Sequence, residues 1–83
     1  MHVQLELYAS LMRFLPPDAD RHRVRLDVAA GTSAHDLLDR YQVPREQAHL
    51  VLRNGVFLHA EERDDLALEE GDVIAVWPPV AGG

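Results

Sequence analysis

At 83 residues and 47% apolar side chains, the chain suffices for one small domain that buries about 60% of its unfolded surface, and is too short for a deep internal active site. Fourteen acidic residues against eight basic ones give a net charge of −6, which argues against nucleic acid and for a protein partner with a basic face. Cysteine is absent, so there is neither a disulfide framework nor thiol chemistry. With no apolar run of membrane-spanning length and no basic-then-apolar leader, the expected setting is the cytoplasm, away from membranes.

The first element is a strand over residues 3–8, with Val3, Leu5 and Leu7 on one face and His2, Gln4, Glu6 and Tyr8 on the other. Ser10-Leu11-Met12-Arg13-Phe14-Leu15 reads as a short helical turn stopped by Pro16-Pro17. A second alternating strand follows, Val24, Leu26 and Val28 inward, Arg23, Arg25 and Asp27 outward. Gly31-Thr32 breaks the chain before a helix. Ser33 and Asp36 have the spacing of a capping box, and Ala34, Leu37, Leu38 and Tyr41 form one helical face that ends at Val43-Pro44. Arg45-Glu46-Gln47 adds a turn.

Leu50, Val51 and Leu52 form a third strand, and Asn54-Gly55 is the strongest short hairpin signal in the chain, returning it through Val56-Phe57-Leu58. Residues 59–65 read as a polar, acidic, solvated loop, after which Leu66 and Leu68 tuck inward. A turn at Glu70-Gly71-Asp72 leads to Val73-Ile74-Ala75-Val76-Trp77, apolar enough for a central strand. Strand, strand, helix, strand, strand, strand, with the last strand central, describes an α+β, ubiquitin-like β-grasp fold: a mixed sheet of five (or four) strands with one main helix on one face. The other face is left for partners.

Pro78-Pro79 cannot continue a central strand, and Val80-Ala81-Gly82-Gly83 has little to pack. One domain over residues 1–83 with a flexible tail at 78–83 is expected, ending in a carboxylate that bare glycine backbone can carry into a narrow cleft. The bland alternative is a frayed terminus. If Ile74 and Val76 face the helix, parity puts Val73, Ala75 and Trp77 on the open face. Val51 would join them if Leu50 and Leu52 claim the core. Trp77 at the root of the tail reads either as an interface anchor or as an indole half-covered by its own chain.

Other candidates carry less. The histidines at positions 2, 22, 35, 49 and 59 lack metal-ligand spacing and read as solvated, so no metal site is expected. Asp18-Ala19-Asp20 lacks the rest of a calcium loop, and Ser10 and Ser33 have no base beside them in sequence. All eight basic residues are arginine. Codon usage accounts for that, although a lysine-free surface would also keep an activated terminus from acylating its own chain.

Five landmarks together resemble the MoaD/ThiS sulfur-carrier family over essentially the whole chain. They are the opening strand, Ser33-Ala34-His35-Asp36-Leu37-Leu38, Val51-Leu52-Arg53-Asn54-Gly55, Leu68-Glu69-Glu70-Gly71-Asp72-Val73, and Pro78-Pro79-Val80-Ala81-Gly82-Gly83. The resemblance implies a carrier without catalytic side chains or a stably bound cofactor. An E1-like adenylating enzyme uses ATP to turn the Gly83 carboxylate into an acyl-adenylate, and a sulfur donor then displaces AMP to leave a thiocarboxylate. Gly82, Ala81, Val80, Pro79, Pro78, Trp77 and Val51 would meet the partners.

The proline pair is most similar to the small subunit of molybdopterin synthase, whose large subunit, or another sulfur-accepting enzyme, would take the sulfur. The stretch Leu11-Met12-Arg13-Phe14-Leu15 departs from that subunit's usual Leu-Arg-Glu-Leu pattern. Alternatives are a carrier for thiamine, another thio-metabolite or tRNA thiolation, a ubiquitin-like modifier joined to proteins through Gly83, and an interaction module with an inert tail.

Overall fold

The alternating runs fold as strands in a computed structural model that describes residues 1–80. Strands β1 (His2–Leu7), β2 (Arg23–Asp27), β3 (Leu50–Arg53), β4 (Val56–Phe57) and β5 (Val73–Trp77) form one mixed sheet in the order β2-β1-β5-β3-β4. β1 and β5 pair in parallel at the centre, and the other pairs are antiparallel. This is the β-grasp arrangement with five strands, and its central strand is the one that leads into the tail.

Helix α1 (Ala34–Arg40) starts where the sequence places it. Ser33 Oγ accepts from the Asp36 N–H at 3.2 Å and Asp36 Oδ2 accepts from the Ser33 N–H at 2.9 Å, which satisfies donors that have no partner inside the helix. Its inward face, Ala34, Leu37 and Leu38, joins Val3, Leu5, Leu7, Ile74 and Val76 in one core, with Tyr41 packed at its edge. Short 3-10 turns occupy Ala9–Phe14 and Arg45–Gln47, and Leu11 is the side chain that anchors the first.

Four expectations change. Val51 is fully buried in the core, whereas Leu50 and Leu52 lie on the open face: Val51 pairs with Val76, and opposite residues in a sheet share a face. The run 59–65 is not simply a solvated loop, since Glu62–Asp65 forms a single helical turn, α2, around a buried Arg63. Leu66 stays 40% exposed, and only Leu68 tucks in. His35 is buried on α1, with Nδ1 3.0 Å from Asp64 Oδ1, rather than solvated.

At the start of β5, Asp72 closes a polar latch. Its carboxylate accepts from the Glu69 N–H (2.8 Å) and the Asn54 amide (2.9 Å) and pairs with Arg53 (2.8 Å). Asn54 Oδ1 in turn accepts from the Val73 N–H at 2.8 Å. The Asn-Gly and Gly-Asp landmarks are thus one structural unit that joins the β3–β4 hairpin to the turn before β5. It sits at the opposite end of β5 from the tail.

Candidate functional site

Trp77 closes β5 on the open face, between Tyr8, which extends the β1 register, and Leu50 of β3. It is half-buried, and its own chain covers it: the Tyr8 and Trp77 rings stack with centroids 4.3 Å apart and planes within 1° of parallel. His22 lies against Tyr8 with ring centroids 4.6 Å apart. The Tyr8 hydroxyl donates to Glu6 Oε1 at 2.7 Å, and Glu6 Oε2 accepts from the Gln4 amide at 2.7 Å. The hydrogen bond to Glu6, with burial and the negative charge of Glu6, pushes the Tyr8 phenol above its ordinary value against a smaller opposing pull from Arg23. The ring is therefore a neutral stacking partner.

The backbone at this point is fixed from both sides. The Tyr8 N–H donates to Val76 O at 3.1 Å, and the His49 N–H donates to Trp77 O at 3.0 Å. Pro78 and Pro79 then carry the chain off the sheet, and Val80 is 78% exposed. Beside them lies an apolar groove of about 510 Å³, formed by Trp77, Pro78, Pro79 and Val80 against Ala9, Ser10, His49 and Leu50.

Four of the residues singled out in the sequence, Trp77, Pro78, Pro79 and Val80, thus come together on one surface. Val51 does not join them, being in the core behind Leu50 and Leu52. Ala81, Gly82 and Gly83 lie outside the described residues. Sequence reasoning missed Tyr8, His49 and Leu50 as neighbours of the tail root. Parity placed Tyr8 on the correct face, but its position beside Trp77 depends on the β1–β5 register, which no local pattern encodes.

The groove offers a mainly apolar surface that an extended, apolar segment could cover. Among the described residues, no cluster of histidine, aspartate and glutamate has the geometry to hold a metal ion, and no helix is long and apolar enough to cross a membrane. Charge lies elsewhere: Glu61, Asp64 and Asp65 are exposed around α2. Arg45 bridges toward Asp39 (3.0 Å) and Asp64 (3.6 Å), and its guanidinium is held above its ordinary value chiefly by the hydrogen bond to Asp39.

The model of the ThiS family matches residues 6–83. The crystal structure of small archaeal modifier protein 1 from Haloferax volcanii superposes with a TM-score of 0.68 at 28% identity, over all of both chains. The solution structure of the HVO 2177 protein from the same organism gives a TM-score of 0.77 at 22% identity, over all of this chain and 87% of that one. A chain from the complex of subunits 1 and 2 of the molybdopterin-converting factor of Helicobacter pylori gives 0.58 at 17% identity, over all of both chains. No curated protein matches the chain. These likenesses place the fold among ThiS/MoaD-like sulfur carriers and ubiquitin-like modifiers.

Proposed function

Because this chain belongs to the ThiS family, we propose that it is a sulfur carrier whose Gly83 carboxylate is activated by a partner and converted to a thiocarboxylate. A carboxylate is a poor electrophile, since its leaving group would be oxide. Attack of the Gly83 carboxylate on the α-phosphate of ATP expels pyrophosphate and yields an acyl-adenylate. Sulfide, or a persulfide whose S–S bond a second thiol then cleaves, displaces AMP. The E1-like partner supplies the ATP site and the catalytic side chains, and this chain supplies presentation.

The observation that supports this most is the exit of the chain from its central strand. Trp77 is held by backbone and ring contacts, two prolines follow, and exposure rises to Val80 beside an apolar groove that a partner's cleft rim can cover. The Pro-Pro-Val-Ala-Gly-Gly ending favours molybdopterin synthesis, with the large subunit of molybdopterin synthase as the sulfur acceptor, over thiamine synthesis or tRNA thiolation. A second reading is a ubiquitin-like modifier, and the observation that favours it is the full-length likeness to small archaeal modifier protein 1 at 28% identity.

Mass spectrometry decides between them. With the E1-like adenylating enzyme of the same organism, ATP and sulfide, the chain is expected to gain the mass of sulfur replacing oxygen at Gly83. One residue appended beyond Gly83 should abolish this, because near-attack geometry tolerates only small displacements. Full-rate charging of the extended chain without trimming would overturn the reading. Isopeptide-linked lysines in cell extracts, without any thiocarboxylate, would favour the modifier.

A further inference from the structure

Presentation of a tail needs exposed backbone, not an aromatic pair at its root, yet Tyr8 lies flat on Trp77 at 4.3 Å. We propose that Tyr8 is a positioning residue. By stacking on Trp77 it sets the direction in which Pro78 and Pro79 leave the sheet, and so where the Gly83 carboxylate stands once a partner has docked. The functional half of this rests on Gly83 being the reacting group.

The two sides of Trp77 are held differently. On the β3 side, the His49 N–H bonds to Trp77 O at 3.0 Å. On the β1 side the strand register ends at Leu7↔Val76, and the Tyr8 N–H spends its bond on Val76 O. What holds Trp77 on that side is the Tyr8 ring. Ala9 follows at φ 52, a left-handed conformation that turns the chain away from the sheet directly after Tyr8 and leaves the ring over Trp77. His22 flanks the ring with centroids 4.6 Å apart, and the hydroxyl at the ring's edge bonds to Glu6 at 2.7 Å.

Beyond Trp77, two prolines with φ confined near −65° and no N–H pass its orientation on instead of absorbing it. An extended chain spans roughly 3.3–3.6 Å per residue, so a tilt of about 5° at Trp77 displaces Val80, three residues on, by about 1 Å. Misplacement on the order of 1 Å is enough to slow a positioned reaction by up to about a hundredfold. A loosened stack therefore acts on the rate of charging more than on the affinity of docking.

The test compares Tyr8→Phe, which keeps the ring and loses the hydroxyl, with Tyr8→Leu, which fills the position without a ring. Tyr8→Met replaces Tyr8→Leu if the latter fails to fold. Pyrophosphate release by the adenylating enzyme should show kcat lowered about tenfold in Tyr8→Leu, with KM within about twofold of the unmodified chain and Tyr8→Phe close to it in both. Equal kcat in all three, or an equal loss in Tyr8→Phe and Tyr8→Leu, would overturn the proposal. Nitrogen-15 relaxation at the Val80 amide reads the root of the tail without any partner, and its order parameter should fall in Tyr8→Leu and hold in Tyr8→Phe. If the unmodified chain is not charged at all, the reading of Gly83 fails separately, and the relaxation result alone then decides the role of Tyr8.

Discussion

The rings of Tyr8 and Trp77 lie parallel to within 1° and 4.3 Å apart, one just past the first strand and the other at the end of the last. A stacked aromatic pair contributes about 0.5–1.5 kcal/mol beyond the area it buries. A double-mutant cycle of Tyr8→Ala and Trp77→Ala, followed by urea denaturation, is expected to return a coupling of about 1 kcal/mol. Additive losses would mean that the stack adds nothing beyond what each ring contributes by itself.

Trp77 is half-buried, so its truncation alone should destabilise the domain by about 2 kcal/mol, less than the roughly 3–5 kcal/mol of a fully buried aromatic. The same change should weaken binding to the adenylating partner by about 2 kcal/mol, as interface anchors do. Calorimetric titration of the folded variant checks this. Unchanged affinity would confine Trp77 to a structural role.

Asp72 sets an acid limit on stability. Burial pushes its carboxyl up, but the Glu69 N–H, the Asn54 amide and the Arg53 guanidinium together outweigh that and hold it below its ordinary value. Because the folded value lies below the unfolded one, the stabilisation is complete above the ordinary carboxylate range and is lost as pH falls toward the folded value. Asp72→Asn should flatten the acid limb of a stability-against-pH curve measured by urea unfolding. At neutral pH, Asp72→Ala should cost about 2–3 kcal/mol by leaving its charged and amide partners without an acceptor.

Arg63 is 8% exposed and donates to three carbonyls, of Leu58 (3.1 Å), Ala48 (3.0 Å) and His49 (3.4 Å). Removing it strands those acceptors away from water. Arg63→Leu is expected to lower stability by about 2–3 kcal/mol, and Arg63→Lys to recover little, since a single ammonium does not match the spread of the guanidinium fork. Chemical denaturation of both variants checks this, and full recovery by lysine would show that charge alone matters.

Asn54 and Gly55 both have positive φ, 51° and 84°, as the type I′ turn of a tight hairpin requires. A β-carbon added at Gly55 meets nothing within 4 Å, so Gly55→Ala should cost only the conformational strain, about 1 kcal/mol. Thermal unfolding measures it, and a much larger loss would indicate a collapse of the hairpin.

Periodicity made most of the fold legible. The inward faces of β1, β2 and α1, the capping box and the hairpin turn all follow from spacing within one element. Val51 did not, because Leu50-Val51-Leu52 is apolar at every position and parity within it cannot say which side faces the helix. Pairing with Val76 across the sheet settles that, and it is a non-local fact. Arg63 was read as solvent-facing because it sits in an acidic run, whereas its acceptors are backbone carbonyls that carry no sequence signal. At the site, the tail root was visible in its prolines and tryptophan, while the groove beside it required the β1 and β3 neighbours of β5.

β1 and β5 pair at the centre of the sheet, so the first strand gains its inner neighbour only after the ribosome has delivered residues 73–77. Until then Leu5 has Val24 of β2 beside it and an open edge on the other side, and that closing contact, between distant parts of the sequence, is slow to form. The strand that completes the core is also the strand from which the tail departs. A chain stalled or cut before β5 would leave an unpaired edge for chaperones and proteases to recognise, and would have no root from which to present a terminus. Completion of the sheet and the proposed presentation of the tail therefore depend on the same five residues.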